Sequence, residues 1–313
     1  MTILVTGSNG QLGCALRCCQ SLRRHNVFYT DIVELAAENR QALAFIGGAD
    51  SDQTTHLLDV TKDADVRAFV RDNRVDVIIN CAAYTNVDAA ESNAQAARLL
   101  NAEVPAMLAK IAKENGALLV HISTDYVYGS SQTNRPYVED TLCEPISVYG
   151  RTKLEGEQAV ESIACRYVIL RTAWLYSEFG HNFVRTMLRL TGEREQLGVV
   201  FDQVGTPTYA HDLAQAIVAI AEQGIAAGVY HYTNEGVCSW YDFTQAIARV
   251  AGNAKCHIIP LHTEEYPAVA PRPSFSVLDK TKMKKALGIS IPYWTDSLTT
   301  CITNLQKLAQ AAG

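Results

Sequence analysis

A glycine-rich turn between two elements of different period constrains this chain most. Thr2–Thr6 is an apolar run of strand type, Gly7-Ser8-Asn9-Gly10-Gln11-Leu12-Gly13 follows at once, and a helical pattern continues from about residue 11 to 23. Three glycines in that setting divide the work. One makes the tight turn, one lets backbone approach a pyrophosphate, and one lets helix pack against strand. An anion placed there meets free N–H groups at the positive end of the helix. The glycines alone would be a weak signal, and a turn that only packs is the bland reading. Asp31 lies 18 residues past Gly13, at the end of a second strand over 27–30. A carboxylate there accepts hydrogen bonds from an adenosine ribose. Gly7, Gly10, Gly13 and Asp31 therefore predict a dinucleotide site. The acid favours NAD, but Arg40 and Lys62 lie in neighbouring loops, so NADH and NADPH both stay open.

Strand-like and helix-like stretches then alternate. A longer, less regular stretch leads to a strand at 54–58 and a polar helix from about 62 to 73. Residues 75–81 (VDVIINC) are apolar throughout, as in a strand covered on both faces. A long helical region over about 88–115 contains Pro105, which implies a break, and 117–123 (ALLVHIS) is the next buried strand. Such alternation predicts an α/β fold, a Rossmann-like doubly wound parallel sheet. Helix 147–160, strand 167–171 and helix 182–190 follow, and beyond Thr191 the segments shorten. Pro260, Pro267, Pro271 and Pro273 mark a loop-rich zone before a final helix over about 294–311. The expected division is a dinucleotide-binding domain over 1–170 and a smaller C-terminal α/β substrate-binding lobe over 171–313, with about 202–225 returning to the first.

Composition narrows the function classes. With 27 Lys+Arg against 33 Asp+Glu the net charge is −6, which argues against a broad nucleic-acid face. No apolar run reaches membrane-spanning length, and Met-Thr-Ile-Leu lacks the basic lead-in of a signal peptide. The nine cysteines (14, 18, 19, 81, 143, 165, 238, 256 and 301) form no C-x-x-C pair and no metal-ligand spacing. They read as packing residues in a reducing cytoplasm, with no metal site.

Tyr149-Gly150-Arg151-Thr152-Lys153 places a phenol and an ammonium one helical turn apart on one face. A free tyrosine, with a pKa of about 10, shuttles protons poorly at neutral pH; a neighbouring cation favours the phenolate. Tyr149 would then serve as acid for carbonyl reduction or as base for the reverse. Ser123-Thr124-Asp125 ends a predicted parallel strand, where such sheets place ligands, and Thr124 offers its hydroxyl to the same carbonyl oxygen. A lone Tyr-x-x-x-Lys is common on surface helices. Its conjunction with the glycine turn and the strand-end Ser-Thr-Asp is specific.

In this order the residues resemble the extended short-chain dehydrogenase/reductase family. Seven blocks, GQLG (10–13), CAAYTNVDAAE (81–91), STDYVYG (123–129), VYGRTKLEGE (148–157), RTAWLYSEFGHNFVRTML (171–188), DQVGTPT (202–208) and PRPSFSVLD (271–279), narrow the likeness to the branch that reduces dTDP-keto sugars. The resemblance implies that Thr124, Tyr149 and Lys153 are catalytic, with Lys153 lowering the Tyr149 pKa. It implies that Gln11, Leu12, Asp31, Ala82, Ala83 and Tyr84 line the cofactor, with Asp59 and Val60 by the adenine and Asn101 near the ribose or the nicotinamide side. Asp125, Trp174, Asn182, Gln203 and Arg272 fall on the sugar-nucleotide side. Trp174 also reads as a packing aromatic, and Arg272 as a surface arginine. The implied reaction is reduction of the 4-keto group of dTDP-4-dehydro-L-rhamnose by NADPH or NADH, in a cytoplasmic protein with a homodimer as a possible assembly. Some relatives dimerise through acidic residues and a metal, but Ala15 stands at one of those positions. Two alternatives stay open: a nucleotide-sugar epimerase or dehydratase, and a regulatory subunit like the beta subunit of methionine adenosyltransferase. Tyr126 stands where a dehydratase would carry Glu.

Overall fold

Ile3 and Val5 join the core on one side of the sheet while Leu4 joins the other, as period two demands of a strand covered twice. They belong to β1 (Thr2–Thr6). The protein is described here from a computed structural model covering residues 1–48, 54–129, 134–253 and 255–312. β2 (Asn26–Asp31), β3 (Thr55–Leu57), β4 (Val77–Asn80), β5 (Leu118–Thr124) and β6 (Arg166–Thr172) follow in the chain. The seven-stranded sheet runs Gly228–His231, β6, β5, β4, β1, β2, β3, and every pairing in it is parallel. The chain winds outward from β1 to β3, then crosses back to β4. That reversal opens a crevice at the carboxyl ends of β1 and β4, the switch point where open α/β sheets bind ligands.

Helices α1 (Gln11–Arg17), α2 (Ala37–Gly47), α3 (Asp63–Asp72), α4 (Val87–Ser92), α5 (Ala94–Arg98), α6 (Val104–Asn115) and α7 (Val148–Ile163) connect these strands. α1 is shorter than its sequence pattern, ending at Arg17 before a 3-10 turn over Gln20–Arg24. α2 lies in the stretch that showed no period. It buries Ala42 and Leu43 against Cys14, Leu35 and Phe179, while most of its other residues face solvent. The region over 88–115 divides into α4, α5, a π-helical turn at Leu99–Glu103, and α6. Pro105 sits in the first turn of α6, where its missing N–H costs nothing.

A second core gathers Val184 of helix Phe183–Glu193, Leu197 and Ile258 of two paired strands, Phe243 of helix Trp240–Ala251 and Leu298 of helix Trp294–Ala312. Two elements within 202–231 leave that lobe. Helix Ala210–Gln223 sends Leu213, Ile217 and Ile220 into the core beneath α1, and Gly228–His231 extends the main sheet beside β6. Among the described residues no helix is long and apolar enough to cross a membrane.

Candidate active site

A cleft of about 1180 Å³ follows the carboxyl edge of the sheet, with residues 172–175, 180–182 and Trp240 also in its lining. The glycine turn forms one end. Gly7 has φ +61°, and a Cβ there would stand 2.7 Å from the Ala82 nitrogen; one at Gly13 would stand 2.4 Å from the Ser8 Cα. Both positions are closed to side chains by neighbouring backbone. Gly10 is exposed and caps α1 without any side-chain acceptor, so the first-turn N–H groups face the cleft unobstructed. Arg17 braces the turn from within. Its Nη2 donates to Ser8 Oγ and Asn9 Oδ1, both at 3.1 Å, and to Thr55 Oγ1 at 2.9 Å, and the guanidinium lies 4.3 Å from the Tyr29 ring.

Asp31 lines the cleft with its carboxylate held by two backbone donors, Asn9 N–H to Oδ2 at 3.0 Å and Ile32 N–H to Oδ1 at 2.8 Å. Asp59 accepts from the Thr61 N–H and hydroxyl at 2.9 and 2.7 Å, which keep its carboxyl below the usual carboxylate range. Exposed Ile32 and Leu57 with Val60 make an apolar slot beside these acids. A cradle free of side chains, an acid at ribose distance and an apolar slot for a base fit a dinucleotide.

The other end is built where β5 meets α7. Thr124 closes β5; its Oγ1 accepts from the Tyr126 N–H at 3.2 Å, donates to Asp125 Oδ1 at 3.1 Å, and lies near enough to the Tyr149 phenol to lower its pKa. Ser147 caps α7 by accepting from the Gly150 N–H at 3.1 Å. A Cβ at Gly150 would stand 2.2 Å from the Tyr126 carbonyl oxygen, so only glycine lets the helix start press Tyr149 onto Thr124. Lys153, one turn on, is buried and donates from Nζ to the Ile122 carbonyl at 2.5 Å. Burial pulls its ammonium down to about 8, against the upward pull of Glu157 a turn further along. The Tyr149 phenol departs from the expected depression. Burial pushes it up to about 12, outweighing the lowering by the nearby Thr124 hydroxyl. Asp125 is buried with Oδ2 lacking a hydrogen-bond partner, and burial raises its carboxyl to about 6.

Gln11, Leu12, Ala82, Ala83, Trp174 and Asn182 all line the cleft. Both ends of the Asn182 amide are occupied, Oδ1 capping a helix through the Arg185 N–H at 3.2 Å and Nδ2 donating to the Ser177 carbonyl at 2.9 Å. Four expected residues, Tyr84, Asn101, Gln203 and Arg272, lie off the cleft wall. Asn101, in the π-helical turn, ties both backbone groups of Tyr84 at 2.9 and 3.1 Å and reaches Thr152, bracing the cofactor-side loop from behind. Gln203 is buried and donates to Thr263 at 3.2 Å, and Arg272 is paired with Asp88 at 2.9 Å.

Sequence reasoning overlooked the buried pair behind the site. Arg171 grips Glu157 through Nε at 3.0 and 3.1 Å and Nη2 at 2.6 Å, while Ser123 donates to the same carboxylate and Arg171 Nη1 reaches the Tyr128 hydroxyl at 2.5 Å. Glu157 continues the Tyr149–Lys153 spacing by one turn, a signal present in the sequence. Trp240 was also missed; nothing local marks it as a cleft residue. At the surface Asp202, His262 and Glu264 bring one ligand atom each within 4.8 Å, with no further feature that points to an ion.

A parallel sheet with a dinucleotide cradle at its switch point, and a Thr-Tyr-Lys set on the same cleft, define an α/β oxidoreductase of short-chain dehydrogenase/reductase type. A family model described as RmlD substrate binding domain matches residues 1–307, and the chain belongs to that family. It is 37% identical over 320 residues to a dTDP-4-dehydrorhamnose reductase of Burkholderia thailandensis, covering 97% of this chain and 99% of that one. It is 41% identical over 247 residues to a dTDP-4-keto-6-deoxy-D-glucose reductase of Streptomyces niveus, covering 79% and 85%. The crystal structure of a dTDP-4-dehydrorhamnose reductase from Bacillus anthracis in complex with NADP is 33% identical and superposes with a TM-score of 0.83 over 96% of this chain and 98% of that one.

Proposed function

We propose that this protein reduces the 4-keto group of dTDP-4-dehydro-L-rhamnose to dTDP-L-rhamnose with NADPH or NADH. One observation carries the reading: Thr124, Tyr149 and Lys153 meet on the wall of the cleft that the glycine turn and Asp31 open at its other end. Bound nicotinamide supplies the hydride. The protein's part is to hold the carbonyl and deliver a proton. Thr124 steadies the carbonyl oxygen. Tyr149, its pKa raised to about 12, keeps its proton at neutral pH and gives it to the far more basic alkoxide as that forms. Lys153 sits one turn behind as a buried cation, opposing the charge left on the phenolate, and would hold the nicotinamide ribose. Trp174 borders the sugar, and Asp125, with its unpartnered oxygen, accepts from a sugar hydroxyl.

Purified protein mixed with NADPH and the keto sugar should consume the two in equal amounts, which epimerases and dehydratases, regenerating their cofactor, do not. Tyr149→Phe should lower turnover roughly 10²–10⁴-fold, the usual worth of a positioned acid. Near wild-type turnover in that variant would remove Tyr149 from the acid role. The dTDP-4-keto-6-deoxy-D-glucose substrate, run in parallel, sets the stereochemical preference. The free thiols support a reducing cytoplasmic setting, and sedimentation of the purified chain tests the homodimer.

A further inference from the structure

We propose that Trp240 and Gly205 are positioning residues that lock the Trp174 indole as the sugar-side wall of the cleft, so that turnover of the keto sugar depends on them while cofactor binding does not. The proposal rests on the reductase reading above and names what holds its sugar side.

Trp174 carries a backbone conformation that bulky residues rarely adopt, with φ +48° in the left-handed region. Such a residue persists only where its surroundings over-determine it, and such residues gather at functional sites. Two features do the determining. The Trp174 and Trp240 rings stack with centroids 3.5 Å apart and planes 11° from parallel. At the six-membered ring, Gly205 leaves no room: a Cβ there would stand 2.7 Å from Trp174 Cε2 and 2.8 Å from Cζ2. Gly205 does not have a left-handed φ, so the absence of a side chain matters for its neighbour and not for its own backbone.

The two supports are themselves joined. Gly205 pairs with Cys238 and Val204 with Ser239 in a short antiparallel ladder. Ser239 then caps the helix that begins at Trp240, with a reciprocal capping box to Asp242. Phe183 covers Trp240 at 4.5 Å. The Trp174 carbonyl is held by the Thr208 N–H at 3.1 Å. The same hypothetical Cβ at Gly205 would stand 2.9 Å from Ser276 Oγ, and the Ser276 hydroxyl is near enough to Asp125 to pull its carboxyl down against burial. Gly205 thus sits where the indole wall meets the buried carboxylate. Trp174 and Trp240 both line the cleft, as do Thr124 and Tyr149.

The test uses the full-length enzyme with Trp240→Ala, Trp240→Phe and Gly205→Ala. Stacked indoles couple optically and give a paired positive and negative band in far-ultraviolet circular dichroism; Trp294, the third tryptophan, packs on Phe243 and Tyr293. Trp240→Ala should abolish that band, and Gly205→Ala should weaken it. Both should lower kcat/KM for the keto sugar roughly 10- to 100-fold, the usual cost of a misplaced reacting geometry, with the NADPH Kd within twofold of wild type. Trp240→Phe, which keeps a ring on the indole, should recover most of the loss. Unchanged kcat/KM in folded Trp240→Ala, or an equal weakening of NADPH binding, would overturn the proposal. If Trp240→Ala does not fold, Trp240→Phe and Gly205→Ala decide by the same two readouts. Wild-type protein without keto-sugar turnover would overturn the reductase reading instead, a result that is distinct because it appears before any substitution.

Discussion

Replacing Glu157 by Gln is the most informative single perturbation, because it tests the packing behind the site and the chemistry in it together. Glu157 and Arg171 are 1% and 5% exposed, and three short contacts from Nε and Nη2 join them. Glutamine keeps the shape but removes the charge, and its amide must turn a donor toward either Arg171 or Ser123, both donors already. Breaking a buried pair from one side typically costs about 3–5 kcal/mol. Arg171 keeps partners in the Tyr128 hydroxyl at 2.5 Å and the Glu139 carbonyl at 3.2 Å, so the lower end, about 3 kcal/mol, is expected. With a urea slope of about 3 kcal/mol/M, the midpoint should fall by about 1 M. Adding Arg171→Met should restore much of the loss, since an apolar pair of similar volume avoids the desolvation cost. Glu157 also pulls the Lys153 ammonium upward, so its removal should move the alkaline limb of the pH–rate profile to lower pH. A midpoint within 0.2 M of wild type (about 0.6 kcal/mol at that slope) would show the pair to be solvated and refute the reasoning.

Other expectations follow from the same geometry. Wild-type reduction should fall above about pH 8 as Lys153 loses its proton. Over the same window this group's contribution to stability should rise, because the unfolded chain still binds the proton that the folded one has released; urea midpoints compared with Lys153→Met isolate it. Gly7→Ala, forced to φ +61° and to within 2.7 Å of the Ala82 nitrogen, should weaken NADPH binding roughly 5- to 150-fold in a fluorescence titration, from about 1–3 kcal/mol of strain. An unchanged Kd would mean the turn does not cradle the cofactor. If Asp31 meets the ribose as proposed, Asp31→Asn should raise kcat/KM for NADPH relative to NADH, a ratio measured directly by absorbance. A ratio that stays constant would show that Asp31 serves only the Asn9 and Ile32 amides.

Much of the fold was legible because its signals are local. The strand–turn–helix at residues 2–17, the apolar strands at the centre and the Tyr149–Lys153 spacing are each set within a few residues. α2 was not legible: with few of its residues buried, its apolar period is diluted by a solvated face. A brief strand near 228–232 was legible, but not its place at the edge of the main sheet, since four residues carry no mark of which sheet they join. Gln203 and Arg272 sat in blocks that looked ligand-facing, yet their side chains bond within the protein, to Thr263 and Asp88.

The sequence by itself determined the doubly wound sheet, the glycine cradle with Asp31 beyond it, and the presence of a tyrosine and a lysine on one helix face. Periodicity and turn chemistry act over short stretches, so one dimension suffices to read them. Only the tertiary structure decided what those groups are worth. Burial against β5 lifts the Tyr149 phenol where spacing alone predicted a depressed one, and lowers the neighbouring lysine to about 8. Arg171 meets Glu157, and Trp240 meets Trp174, across elements distant in the chain. Desolvation and close contact depend on what the rest of the chain brings near, and no local pattern encodes that.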